Sequence, residues 1–235
     1  VSAPVAPPTA RGARAFGEGP LSQVTQVVHW FVVLEVLLVV ATAPGLAGAL
    51  LLVPDASNLP LYALCAVPVG PALAAAVFAW RAFLADRDAA PAREFLRGYR
   101  LGALDALRTW VPVLGVLTVL AVDTAHRDVV GVAAAFTPLY AVLGAAVLVW
   151  AVRVLVLTAV FAFRWRDVAR LAAMTLLTRP RSTLSLLSLL VLAIGTAWVT
   201  FDAVVVVLAS VLTFLLARSE AGVVREVRER FVAPS

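Results

Sequence analysis

The chain has 235 residues, of which 63% are hydrophobic and only 14% charged, too apolar for a soluble domain of this length. Its formal net charge is +5, and all nineteen basic residues are arginine. The arginines are spread over segments between apolar runs, without interleaved stacking aromatics, which argues against nucleic acid and for a membrane surface.

Residues 1–20 are Pro/Ala/Gly-rich with no apolar h-region. They are read as a disordered cytoplasmic arm, not a signal peptide. Six runs follow, in a transmembrane domain over residues 21–217. The first spans about Val24 to Val40 and is interrupted at Ala43-Pro44-Gly45; the apolar continuation to Val53 is read as a proline-bent extension or an interfacial segment. The second covers about Leu61–Leu84, with Pro68, Gly70 and Pro71 inside it. The third is about Leu107–Val122. The fourth lies within Val129–Phe163 and is expected to start near Thr137-Pro138, a cap and first-turn pair. The fifth is Thr183–Phe201, near the roughly 20 apolar residues that a crossing helix needs, and the sixth is Ala203–Ala217, short unless the tail's arginines snorkel. Residues 218–235 form an arginine-rich tail.

Seventeen arginines fall in four segments: Arg11 and Arg14, Arg81 to Arg108, Arg164 to Arg181, and Arg218 to Arg230. Retention of basic loops inside puts both termini and these segments in the cytoplasm of a bacterial cell membrane. The expected fold is therefore all-α, a polytopic bundle of six spans with two cytoplasmic amphipathic helices.

In the first of these helices Phe95, Tyr99, Ala103 and Leu107 recur every four residues, with Trp110 on the adjoining edge and Arg93, Arg97, Arg100 and Arg108 around them. A docking helix for a cytoplasmic partner would have the same pattern, but a helix lying in the headgroup plane is the favoured reading. The second, Asp167–Thr178, is more apolar and is expected to pack on the bundle; Arg166 and Arg170 belong to it. The spacing of Arg93…Arg97…Arg108 and Arg166…Arg170…Arg181 suggests a direct repeat covering spans two–three and four–five.

Glu35 and Arg153 are the charges that topology does not explain. Both lie ten or eleven residues from the cytoplasmic ends of their spans, roughly 16 Å deep. A pair between them is expected, either a packing device or a proton, ion or substrate site. His29 and His126 lie on opposite sides of the membrane, and no residues have zinc-ligand spacing, so neither metal nor cofactor is expected. G-x-S-x-G, H-E-x-x-H and P-loop patterns are missing, which argues against an enzyme. Cys65 stands alone in an apolar run, where its default role is packing.

Gly19-Pro20, the Pro68–Ala76 stretch Pro-Val-Gly-Pro-Ala-Leu-Ala-Ala-Ala, the Arg93–Arg100 stretch Arg-Glu-Phe-Leu-Arg-Gly-Tyr-Arg, and Phe161–Arg181 leading to Arg-Pro-Arg-Ser-Thr occur in an order that resembles the YesL family of small bacterial membrane proteins. The resemblance covers about Phe16 to Phe214. This chain departs from the family at Glu35, where an Asn-like residue is common, and in a longer Leu46–Tyr62 stretch. The resemblance implies a link to carbohydrate utilisation beside ABC uptake components, and the expected role is a non-enzymatic accessory or regulatory component with ABC permease or ATPase subunits as partners; a homo-oligomer is a separate option. The alternative from the residues is a small transporter or channel using Glu35.

Overall fold

The computed structural model describes residues 20–127, 136–161, 163–199 and 208–231. Among them the chain is helical, without strands. The helices are α1 (Pro20–Leu51), α2 (Leu59–Cys65), α3 (Val69–Ala85), α4 (Pro91–Ala125), α5 (Thr137–Val160), α6 (Trp165–Thr178), α7 (Pro180–Val199), α8 (Ala209–Ser219) and α9 (Ala221–Phe231); a 3-10 turn, Ala56–Asn58, precedes α2.

Four stretches are long and apolar enough to cross a membrane: Gln23–Leu51, Ala56–Ala85, Pro91–Ala125 and Thr137–Val160. The bent pair α6–α7 makes a fifth if it is taken as one span. The described part of the expected sixth run is α8, whose 11 residues are too few to cross. The rest of that run, 203–207, lies outside the described residues, as do the N-terminal arm to residue 19 and the turn at 201–203.

The expected break in the first span does not occur. Pro44 sits inside a continuous 32-residue helix. A helical proline costs one hydrogen bond and crowds the preceding turn, and here the helix carries through it. The second run does break, at Ala66–Pro68, between α2 and α3. Gly45 explains how α1 and α2 lie so close: a Cβ there would overlap the Cys65 carbonyl oxygen.

The Ala-rich α3 is the central helix, with Ala72, Ala74, Ala75, Ala76, Ala79 and Trp80 all buried. In hydrocarbon, apolar burial gives little driving force, so close packing over small residues carries helix association. Gly98 of α4 lies against Phe78, where a Cβ would come within 2.8 Å of that side chain. Around Trp80 an aromatic cluster joins α1, α3 and α8, with ring centroids of Phe31 at 4.7 Å and Phe214 at 4.9 Å. The outer face of α1 exposes Val24, Val28, Val32, Val36 and Val40 at intervals of four, a stripe suited to lipid.

Of the two amphipathic segments, the first differs from expectation and the second follows it. The first is no separate helix in the headgroup plane: it continues unbroken into the third span as the 35-residue α4. Its aromatic stripe faces inward, with Phe95 and Trp110 buried and Tyr99 half-buried. The second is a separate helix, bent 102° from α7. Pro180 accounts for the break, because the residue before a proline is pushed out of the α region, and Arg179 sits at φ −124°, ψ 65°. As expected, α6 packs on the bundle, through Val168, Leu171, Ala172 and Thr175. It is held by the Trp150 indole, which donates to the Ala169 carbonyl at 3.1 Å. The two units of the suggested repeat thus share a helix–basic segment–helix order but not the break. The fourth run begins as expected, with α5 starting at Thr137-Pro138.

Candidate functional site

The α5 helix carries Arg153 into the interior, where it is 0% exposed. Its partner is Glu220, also 0% exposed, and not Glu35. The pairing is bidentate: Nε donates to Glu220 Oε2 at 3.0 Å and Nη2 to Oε1 at 3.0 Å. Nη2 also donates to Ser182 Oγ at 3.0 Å, and Nη1 to Thr183 Oγ1 at 3.1 Å. Ser182 Oγ in turn donates to Glu220 Oε1 at 2.6 Å. Bidentate geometry with these further bonds is what a desolvated ion pair requires to offset its burial. The network joins α5, the start of α7 and the α8–α9 elbow. Nearer the surface, Arg179 pairs with Glu226 and ties α9 to the α6–α7 elbow.

Glu220 belongs to the segment read above as an arginine-rich tail. Its described residues, 218–231, are the end of α8 and the helix α9, which lies on the bundle with Val223, Val224 and Val227 each 1% exposed. Positions 220, 223, 224 and 227 form one helical face. A carboxylate on an otherwise apolar face is the signal for a buried partner, and it is present in the sequence.

Glu35 meets α8. Its Oε2 accepts the Ser210 backbone N–H at 2.8 Å, so it caps the helix that begins at Ala209, at the end where the helix dipole favours negative charge. Its Oε1 is buried and has no hydrogen-bond partner. Beside it the Trp80 indole donates to Thr213 Oγ1 at 3.1 Å, and that hydroxyl donates to the Ser210 carbonyl at 2.9 Å. Sequence pairing of charges missed this contact because the donor is main chain.

Among the other candidates, Arg93, Arg97, Arg100, Arg166 and Arg170 are exposed. Arg97 approaches Glu94 at 3.9 Å, and the Arg166 guanidinium lies 5.5 Å from the Trp165 ring. Phe95, Tyr99 and Trp110 instead serve the interior. Phe95 stacks on Tyr99, and the Trp110 indole donates to the Ala66 carbonyl at 2.9 Å. His29 is exposed on α1, and His126 ends α4 with Nδ1 3.1 Å from the Val122 carbonyl oxygen. No family model matches the chain, and neither a curated protein nor a solved structure is similar to it.

Proposed function

We propose that the chain is a multi-pass protein of a bacterial cell membrane with its arginine-rich ends in the cytoplasm. It acts as a non-enzymatic accessory or regulatory component of carbohydrate uptake by an ABC transporter. One observation supports a docking role. At 1.5 Å per residue the α4 helix is about 52 Å long, against a hydrocarbon core of about 30 Å. The helix therefore exceeds the core by about 22 Å, and its basic end, with Arg93, Arg97 and Arg100 exposed, is taken to reach beyond the core while staying packed on α3. Leu96, Leu101 and Leu104 are exposed among these arginines, a mixture suited to a protein surface with acidic and apolar contacts. The link to carbohydrate uptake rests on the YesL resemblance.

The test is affinity purification from native membranes. A sugar permease or its ATPase is expected to co-purify, and to be lost when Arg93, Arg97 and Arg100 are changed to Glu. Unimpaired sugar uptake in a deletion strain counts against the reading.

A second reading, a small transporter or channel using Glu35, is favoured by the unpartnered Oε1. Glu35 is not among the residues lining the apolar cavity beside α1. Flux in proteoliposomes that is abolished by Glu35→Leu would establish this second reading.

A further inference from the structure

Helices α1, α2, α7 and α8 border a half-open cavity of about 490 Å³, with α3, α4 and α5 on its inner side. Its few polar side chains are already occupied. The Thr42 hydroxyl donates to the Leu38 carbonyl at 2.8 Å, and the Tyr62 hydroxyl to the Leu52 carbonyl at 3.2 Å. Trp110 donates to Ala66, and Thr213 is held between Trp80 and Ser210. The Cys65 thiol, a weak donor, is the remaining polar hydrogen on the wall. Among the described residues of the wall a sugar or an ion finds no partner, and a buried water needs two to four polar contacts. In a bilayer the matter available to fill it is hydrocarbon.

We propose that this cavity is a site for a single acyl chain of a membrane phospholipid, inserted between α1–α2 and α7–α8. The proposal rests on the membrane reading above but not on the transporter partnership. It differs from general lipid contact, because seven helices contribute to the wall, whereas the valine stripe of α1 meets lipid on one open face. Gly45 and Gly48 help to shape the wall: at Gly48 a Cβ would come within 2.9 Å of the Cys65 sulfur.

Full-length protein is purified in mild detergent and examined by native mass spectrometry. One retained phospholipid per chain is expected, with occupancy reduced at least tenfold in Ala49→Phe and in Ala193→Phe, which fill the cavity from opposite walls. In parallel, protein in phosphatidylethanolamine/phosphatidylglycerol vesicles is photolabelled with a phospholipid carrying a diazirine on its acyl chain. Adducts are expected on cavity residues and on the α1 valine stripe, and the filled variants lose only the first group. Labelling of the stripe alone overturns the site and leaves the membrane reading standing. Labelling of neither overturns the membrane reading itself. A lipid-free dimer, retained detergent only, or occupancy unchanged in both variants also overturns the proposal.

Discussion

Arg153 and Glu220 lie in the interior at 0% exposure, so removing one leaves the other as an unpaired buried charge. That is the expensive event, and Arg153→Met or Glu220→Gln is expected to cost about 3–5 kcal/mol in unfolding free energy. The double variant Arg153→Met/Glu220→Leu removes both charges and is expected to cost much less than the sum, because apolar residues of similar volume replace a desolvated pair well. Equilibrium unfolding in mixed detergent measures both, and strict additivity would refute the coupling. Glu35 provides the contrast. Glu35→Gln keeps a carbonyl for the Ser210 N–H, whereas Glu35→Leu uncaps α8 and is expected to cost about 0.5–2 kcal/mol. Combined with Arg153→Met, either change is expected to add within about 0.5 kcal/mol, since the two charges share no partner.

At the scale of helices, glycines separate positions where a side chain cannot fit from positions where it can. Gly98 and Gly102 are four residues apart on α4. A Cβ at Gly98 would meet Phe78, and one at Gly102 would meet nothing within 4 Å. Gly98→Ala is therefore expected to destabilise by about 1–3 kcal/mol through overpacking. Gly102→Ala is expected to stabilise by up to about 1 kcal/mol through helix propensity. Thermal unfolding in detergent distinguishes the two, and equal effects would contradict the close α3–α4 approach. The turn before α2 has a pH dependence. The Ser57 hydroxyl and then the Ser57 backbone N–H donate to Asp55, holding its carboxyl below the ordinary value of 3.8. A lowered folded-state value means that this contribution is present above the ordinary carboxylate range and is lost as pH falls through the lowered one. The protection factor of the Ser57 amide, its exchange rate relative to the intrinsic rate at the same pH, should therefore fall in acid, and Asp55→Asn should remove that response. How legible these elements were follows from the kind of signal each carries. The start of α5 could be read because Thr137-Pro138 is local chemistry, and so could the end of α6 before Pro180. The continuity of α4 could not, because an amphipathic segment and an apolar span look separate until α3 covers one face of both. Glu220 was hidden by the arginines around it, although its apolar face at 223, 224 and 227 was there to count. The Glu35 partner is a backbone N–H, which no pairing of charged side chains reveals.

For the molecule as a whole, the Ser182–Glu220 bond constrains topology more tightly than helix length does. Ser182 stands in the first turn of α7, and Glu220 returns to within 2.6 Å of it. The chain leaves one end of the bundle along α7 and is back at that end by the α8–α9 elbow. Any outward crossing by α7 must therefore be matched by a return before Glu220, and α9 must lie on the same side as the α6–α7 elbow. In the topology proposed above that side is the cytoplasm, together with the basic end of α4. The prediction is read by cysteine accessibility in a Cys65→Ser background, which removes the one native thiol. A membrane-impermeant maleimide added to intact cells is expected to label Asp55→Cys, in the turn between α1 and α2. Arg97→Cys and Arg228→Cys are expected to react only after permeabilisation, or in inverted vesicles. Labelling of Arg228→Cys from outside while Arg97→Cys stays protected would mean an odd number of crossings. With α4 and α5 each crossing once, Arg97 and Ser182 share a side, and that result is incompatible with Glu220 reaching Ser182.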